Sequence, residues 1–466
     1  LARWAPLRYH PAQQAYWNST HRFNVVPAGR RSGKTELFKR KLVKRALAAA
    51  TPWVPAFFAA APTRDQAKRI FWEDLKLLVS RDMMGREPSE TDLMIKCVNG
   101  AEIWVVGLDK PERIEGKPWD GGGLDEFANM KPEAWPKNVR PSLSDRQGWC
   151  DLFGVPEGRN HYYDCNEEAL ARLEADGELS EWASFTWPSR DILPRAEIEA
   201  AMRDLDEQTF DQEYNASFLN FEGRAYYPFD SRLHCRPLGY DPKAELVLCF
   251  DFNVEPGVAA VLQEQPLPGQ YERAPLPPAR RGDPPVPDPQ GAPLLDRPLA
   301  GTGVIGEVHI PRNSNTPAVC RRLLKDWGGH LGRVTCYGDA TGGARGSAQV
   351  EGSDWDLIER ELRPAFGGRL ALNVKRANPK ERARVNAVNS RLRSSFGDVR
   401  LMVDRVRAPH VVKDFDGVTL LKGGSGEIDK QAAPMLTHLS DAIGYYVEYR
   451  YPVAAQQVQR VQLGGI

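Results

Sequence analysis

The stretch Val26–Thr35, VPAGRRSGKT, decides how this chain is read. It closes on Gly33-Lys34-Thr35, follows the apolar run FNVVPA (23–28), and opens a Lys-, Leu- and Ala-rich segment that reads as a helix over 34–50. Strand, glycine loop and helix are the context a phosphate-binding loop needs. Its backbone N–H groups wrap phosphates, its lysine reaches the terminal phosphates, and its hydroxyl residue holds Mg2+. The stretch departs from G-x-x-x-x-G-K-[ST] at the first position, where Ala28 stands, with Gly29 one place later and Arg30 and Arg31 inside. Gly29 and Gly33 supply the tight backbone around Ser32, and Lys34 and Thr35 take the lysine and Mg2+ roles.

A partner motif is required downstream, and GGGLDEF supplies it. Asp125 ends a short strand and would hold the Mg2+ shell; Glu126 would polarise the attacking water. With both motifs in order, ATP binding and hydrolysis is the expected chemistry. Around them, AFFAAAP (56–62), a helical stretch at 64–79, EIWVVG (102–107) and CDLFGV (150–155) alternate strands with helices, the pattern of a mainly parallel α/β sheet.

Residues 191–235 read as a helical connector with little strand character. A second α/β block follows: ELVLCFDF (245–252), GVIGEVHI (303–310), a helix near 316–326, GRVTCYGDA (332–340), RLALNV (369–374), a helix near 380–395 and a last helix near 434–449. The organisation expected is therefore 1–190, 191–240 and 241–466. One segment, 266–298, is dense in proline, which removes ladder donors and breaks helices. It reads as a long exposed insertion at a hairpin tip, with a linker as the alternative.

In the second block, Asp251 and Asp339 each end an apolar strand, and Asp441 lies on the final helix. A buried strand-end acid is costly without a cation or donors. Three converging acids can hold two hard cations roughly 4 Å apart for phosphodiester cleavage. Glu307 is a possible fourth acid, or supports the site or only caps a strand, and His438, one turn before Asp441, can face the same site or be a satisfied surface histidine. Arg382, Arg384, Arg391 and Arg393, with Asn386 and Asn389, suit contact with a phosphate backbone, with a purely structural helix as the alternative.

Composition narrows the class without naming a partner. The 466 residues suffice for two or three domains, and 41% hydrophobic with 27% charged residues is the balance of a globular chain. Lys+Arg and Asp+Glu are both 62, so net charge does not point to nucleic acid. Seven scattered cysteines with no C-x-x-C fit reduced thiols of a cytosolic protein. No membrane span or signal peptide is expected, and the chain begins with Leu rather than Met.

In their order, the motifs resemble those of the large terminase subunit of tailed bacteriophages, a DNA-packaging ATPase and nuclease. YHPAQQAYW looks like its adenine-side motif, with Gln13 the matching residue; AGRRSGKT resembles its variant P-loop; and RIEGKPWDGGGLDEF resembles its Walker B region. GVPEGRNHYYD (154–164) is similar to its coupling motif, and FDQEYNASF (210–218) to the end of its connector. FDFN, YGDATG, NPKERARVNAVNSRL and THLSDAIGYY resemble its ribonuclease H-like nuclease domain. The resemblance implies a RecA/ASCE-like P-loop ATPase domain followed by that nuclease domain, with ATP and Mg2+ in the first and a Mg2+ or Mn2+ pair in the second. It implies double-stranded DNA, a small terminase subunit and a portal protein as partners, a five-subunit ring, and work in the host cytoplasm at the procapsid portal vertex, with no membrane. A helicase-like ATPase fused to a resolvase-like nuclease is the rival reading.

Three departures from the family pattern bear on mechanism. Val155 stands where the coupling motif usually has Thr or Ser, leaving Asn160 to do more of the phosphate sensing. Glu115 stands where many relatives have arginine, which makes Arg113 the nearest candidate arginine finger, with Arg140 and Arg146 next. The proline-rich segment has no counterpart in the family core. Arg30 and Arg31 become candidates for sensing the nucleotide or a neighbouring subunit.

Overall fold

The computed structural model describes residues 10–219, 223–252, 255–275, 292–340, 353–421, 426–432 and 435–453. They form two compact units, one of Leu1–Ile198 with Asp211–Asn220, the other of Glu199–Phe210 with Phe221–Ile466. Among the described residues no helix is long and apolar enough to cross a membrane.

The first unit is built on a seven-stranded sheet of β1 (Phe23–Pro27), β2 (Ala56–Ala61), β3 (Met94–Lys96), β4 (Glu102–Gly107), β5 (Gly121–Asp125), β6 (Trp149–Gly154) and β7 (Trp182–Ser184). The order is β3-β4-β2-β5-β6-β1-β7, and only the β3–β4 pair is antiparallel. Inserting β6 between the P-loop strand β1 and the Walker B strand β5 is the ASCE arrangement. Along β1 the side chains alternate, Val25 to one face and Val26 to the other, and both faces are packed. The helix expected over 34–50 spans Lys34–Ala48. The one expected over 64–79 is continuous but contains a π-turn, Lys68–Trp72, between Arg64–Ala67 and Glu73–Leu78. Strands β3 and β7, three residues each, were not legible in the sequence.

The second unit holds a six-stranded sheet of β8 (Leu246–Asp251), β9 (Gly257–Arg273), β10 (Leu294–Ile310), β11 (Val334–Gly338), β12 (Leu370–Leu372) and β13 (Leu401–Val403). The order is β12-β11-β8-β9-β10-β13, with β9 antiparallel to both neighbours and every other pair parallel. An antiparallel meander β8-β9-β10 continued on the β8 side by two parallel strands is the ribonuclease H-like sheet, here with β13 added at its edge. Helices Thr316–Trp327, Asp354–Phe366, Glu381–Leu392, Pro409–Gly417 and His438–Arg450 accompany it.

The proline-rich segment lies, as read, between two antiparallel strands of one sheet, but the ladder reaches further into it than its prolines led one to expect. The ladder of β9 and β10 runs on through its ends, with Ala300 opposite Pro266, Pro298 opposite Tyr271 and Leu294 opposite Arg273. Register shifts fall between Leu294 and Pro298 and again between Pro298 and Ala300. Bulged positions leave a residue out of the ladder, so a missing N–H is tolerated there. The middle of that segment, 276–291, lies outside the described residues.

Candidate functional site

In the first unit, the loop 29–35 leaves β1 and enters the helix Lys34–Ala48. Arg31 and Gly33 both have positive φ, 56° and 84°, the second at the helix N-cap, where glycine carries no Cβ penalty. The loop is clamped from outside. Gly29 N donates to the Trp187 carbonyl at 3.0 Å, Arg30 N to the Glu213 carbonyl at 2.6 Å, and Ser189 Oγ to the Arg30 carbonyl at 2.6 Å. A Cβ on Gly29 would lie 2.5 Å from Ser189 N and 2.6 Å from the Tyr214 carbonyl oxygen, closer still to Ser189 Oγ, so glycine is demanded here by space.

The side chains that face the loop are placed by the sheet. Thr35 Oγ1 donates to Asp125 Oδ2 at 3.0 Å, bringing the ends of the P-loop and Walker B segments together. Lys34, nearly buried, donates back to the Gly29 carbonyl at 3.4 Å. Asp125 is fully buried, and burial, then the neighbouring Glu126 charge, hold its carboxyl well above the ordinary value against Lys34 and the Thr35 hydroxyl. A buried acid lifted this way, beside a hydroxyl and a lysine, fits a divalent cation, whose charge would restore its ionised form. Glu126 sits in the left-handed region at φ 55°, an unusual conformation for a non-glycine residue, with its N–H on Asp125 Oδ1 at 3.0 Å.

The other sequence-predicted residues are placed as follows. Gln13 Nε2 donates to the Ser32 carbonyl at 2.8 Å, and Trp187 Nε1 to the same oxygen at 3.0 Å, so Gln13 here holds the loop itself. Arg30 is forked onto the Glu213 carboxylate, Nε and Nη2 each 2.6 Å from Oε2, and also feels the Glu126 charge. Arg31 lies within electrostatic reach of Tyr214. Asn160 caps the helix His161–Asp176 through the Tyr162 N–H at 2.9 Å and donates to the Ala128 carbonyl at 3.2 Å. His161 Nε2 meets the Phe127 carbonyl at 2.9 Å. Together they strap the helix His161–Asp176 to the segment following Glu126. Arg113 is half exposed and pairs with Asp109 at 3.6 Å; Arg140 lies over the Phe23 ring at 4.7 Å; Arg146 is drawn to Asp120 at 2.6 Å. Glu213, Trp187 and Ser189 carried no local signal, since each acts on a loop more than 150 residues away in sequence.

In the second unit, Asp251 ends β8, Asp339 follows β11, and Asp441 lies in the first turn of the last helix. The charges of all three act on the Tyr445 hydroxyl, which burial and these acids together push up. Asp251 Oδ2 meets His438 Nδ1 at 3.2 Å, and Asn378 Nδ2 donates to Asp339 Oδ1 at 2.7 Å. Asp441 is pushed up to about 6, by burial first and by Asp251, against Arg384 and Lys430. Arg384 Nη1 stands 3.2 Å from Asp441 Oδ1, and Lys430 Nζ 3.7 Å from Oδ2. Among the described residues no three His, Cys, Asp or Glu side chains are grouped as ligands of one ion. Beside Asp441 the cationic place is taken by Arg384 and Lys430.

Two further expectations change. Glu307 accepts the N–H groups of His410 and Val411 and the His410 ring at 2.5 Å, so it caps the helix Pro409–Gly417 instead of joining the acids. On the helix Glu381–Leu392, Arg384 and Arg391 are buried, Arg391 on Thr302 at 2.9 Å and over the Tyr451 ring at 3.9 Å. Neither is a surface contact for a phosphate backbone, and Asn389 donates inward to the Ala225 carbonyl.

An ASCE sheet carrying a P-loop and a ribonuclease H-like sheet carrying three acids define an ATPase fold joined to a nuclease fold. The family with that pairing to which the chain is similar is the large terminase subunit. Residues 26–232 match the family described as terminase large subunit, T4likevirus-type, N-terminal. The large terminase subunit of Thermus phage G20c is 25% identical over 254 residues, 47% of this chain and 51% of the relative. That of Escherichia phage T5 is 25% identical over 175 residues, 36% of this chain and 39% of the relative. The matched region thus spans about half the length of the first of these relatives, or less. The solved large terminase of a thermophilic bacteriophage aligns over 95% of this chain and 99% of its own at a TM-score of 0.58 and 14% identity, a likeness of fold.

Proposed function

We propose that the chain is the motor and nuclease of viral DNA packaging: the first unit hydrolyses ATP to drive double-stranded DNA into a procapsid, and the second cuts concatemeric DNA. The observation that carries the first part is the Thr35–Asp125 contact at 3.0 Å, with Lys34 and Glu126 beside it. Magnesium bound there would neutralise phosphate charge. Loop N–H groups from Arg31 to Thr35 would bind phosphate, Lys34 would turn from the Gly29 carbonyl to the terminal phosphates, and Thr35 and Asp125 would hold the ion. Glu126 orients the attacking water and accepts its proton. That the large terminase of the thermophilic bacteriophage has been solved with ADP and with ATP-gamma-S supports the nucleotide.

In the second unit Asp251, Asp339 and Asp441 are the groups that would hold Mg2+ or Mn2+, with His438 orienting Asp251. The partners that follow from this reading are a small terminase subunit that delivers DNA, the portal on which a five-subunit ring docks, and a host cytoplasm in which the assembly forms. Purified protein, procapsids and ATP provide the test. Lys34→Ala should abolish ATP turnover and packaging; undiminished turnover refutes the ATP site. Asp251→Asn should abolish cutting while ATP turnover persists; unchanged cutting removes the nuclease.

A further inference from the structure

Strands β8, β10, β11 and β13 all run in one direction, because β9 is antiparallel to β8 and β10 while β11 and β13 are parallel to their neighbours. The carboxyl end of β13 therefore opens on the same end of the sheet as Asp251 and Asp339. The chain leaves it through a turn, Arg405-Val406-Arg407, whose N–H groups at 406 and 407 are held by the buried Asp404 carboxylate. The turn is rigidly based and fully presented: Val406 is 89% exposed, and both arginines are exposed beside it, Arg407 only loosely drawn to Asp404 at 3.6 Å. Arg236 joins Arg405 near the Cys235 thiol, with its backbone N–H on the Val403 carbonyl at 3.1 Å.

From the turn the chain enters the helix Pro409–Gly417, which shows His410 and, one turn on, the exposed Lys413. The His410 ring, fixed by Glu307, stacks on His309 at 3.8 Å between centroids and 3° between planes. His309 in turn lies within electrostatic reach of Lys413 and His438, and His438 touches Asp251 at 3.2 Å. A cavity lined by His309, His410, Lys413 and His438, together with the Asp414 carboxyl and the apolar Val258 and Leu439, joins these groups. The edge is thus continuous in space from an exposed arginine turn to Asp251, with Arg405, Arg407 and Lys413 as its exposed charges.

We propose that this edge, Arg405 and Arg407 through His410 and Lys413 to His438, is a docking track for the phosphodiester backbone of duplex DNA that delivers a strand to the acids. It rests on the nuclease reading of Asp251, Asp339 and Asp441. Spaced cationic side chains on a fixed turn and helix suit a repeating line of phosphates and carry no base readout. The exposed Val406 between two arginines adds an apolar contact to sugar edges.

The test uses the full chain with Arg405→Glu, Arg407→Glu and Lys413→Glu combined. Binding of a short labelled duplex is followed by fluorescence anisotropy in EDTA across a salt series, and plasmid cutting with Mn2+ across DNA concentrations. Loss of the track should lower the slope of log affinity against log salt by about 2–3, near 0.9 for each phosphate contact. It should raise KM for DNA by roughly tenfold or more while kcat stays within about twofold. An unchanged slope and unchanged KM overturn the proposal, leaving the edge as a solvated face or a surface for an acidic protein. If the reversed charges lower the unfolding temperature, the Arg405→Ser, Arg407→Ser and Lys413→Ser set must give the same KM rise, or the proposal fails. Asp251→Asn separates the two readings: protein that still cuts with this change defeats the nuclease assignment, whereas the anisotropy arm, which needs no cutting, still decides the track.

Discussion

Gly29→Ala is the sharpest probe of the ATP site. The added methyl carbon would meet Ser189 N at 2.5 Å and the Tyr214 carbonyl oxygen at 2.6 Å. Ordinary contact begins near 3.4 Å, so the loop must retreat by nearly an ångström. Two of the three blocking atoms are backbone, and no rotamer change relieves them. Overpacking of this kind costs about 1–3 kcal/mol, which for a unit of some 200 residues lowers the unfolding temperature by roughly 2–4 °C per kcal/mol. The larger effect falls on chemistry. A displacement of about 1 Å between Lys34, Thr35 and the phosphates costs on the order of a hundredfold in turnover. Steady-state ATP hydrolysis and a thermal melt on the same preparation measure both. Ser189→Ala, which removes only the hydroxyl, should fail to rescue the variant. Wild-type turnover in Gly29→Ala, or full rescue by Ser189→Ala, would refute the clamp.

Other expectations follow from single contacts. Lys41 and Asp151 form a buried pair at 3.2 Å, with Tyr16 and Asn24 on the same carboxylate. Lys41→Met should cost about 3–5 kcal/mol in urea unfolding because Asp151 stays buried without a cation, and adding Asp151→Asn should recover part of that loss; strict additivity would exclude the pair. Asp414 is buried and accepts the Leu439 and Ser440 N–H groups, and burial pushes it up to about 6 from 3.8. Its native form holds a proton that the unfolded chain has released, so its contribution is complete below pH 4 and is lost as pH rises through 6. Asp414→Asn should therefore gain on the wild type across that window, by up to roughly 3 kcal/mol at pH 7; a flat difference between pH 4 and 7 would contradict this. Asn160→Ala should cost about 1 kcal/mol as a lost helix cap and lower kcat for ATP more than it raises KM, since it supports the segment beside Glu126; an effect on KM alone would place it at the nucleotide instead.

The sequence by itself determined the elements that carry the chemistry. VPAGRRSGKT marks a strand-to-helix phosphate loop, and GGGLDEF marks a strand ending in two acids, because backbone requirements and charge at these points are local. Asp251, Asp339 and Asp441 stood out for the same reason, as acids at the ends of apolar runs or on the last helix. Tertiary structure alone decided what these groups touch. No periodicity places β6 between β1 and β5, or gives Arg30 to Glu213, 183 positions along the chain. The arginines of 382–393 read as a phosphate-binding face until packing turned Arg384 onto Asp441 and Arg391 into the core. Glu307 read as a possible fourth acid until the helix beginning at Pro409 brought His410 to it. Local pattern fixes what a residue can do, through its own charge and its backbone. Which partner satisfies it depends on strand order and helix docking, set by the burial of two whole sheets rather than by any single stretch.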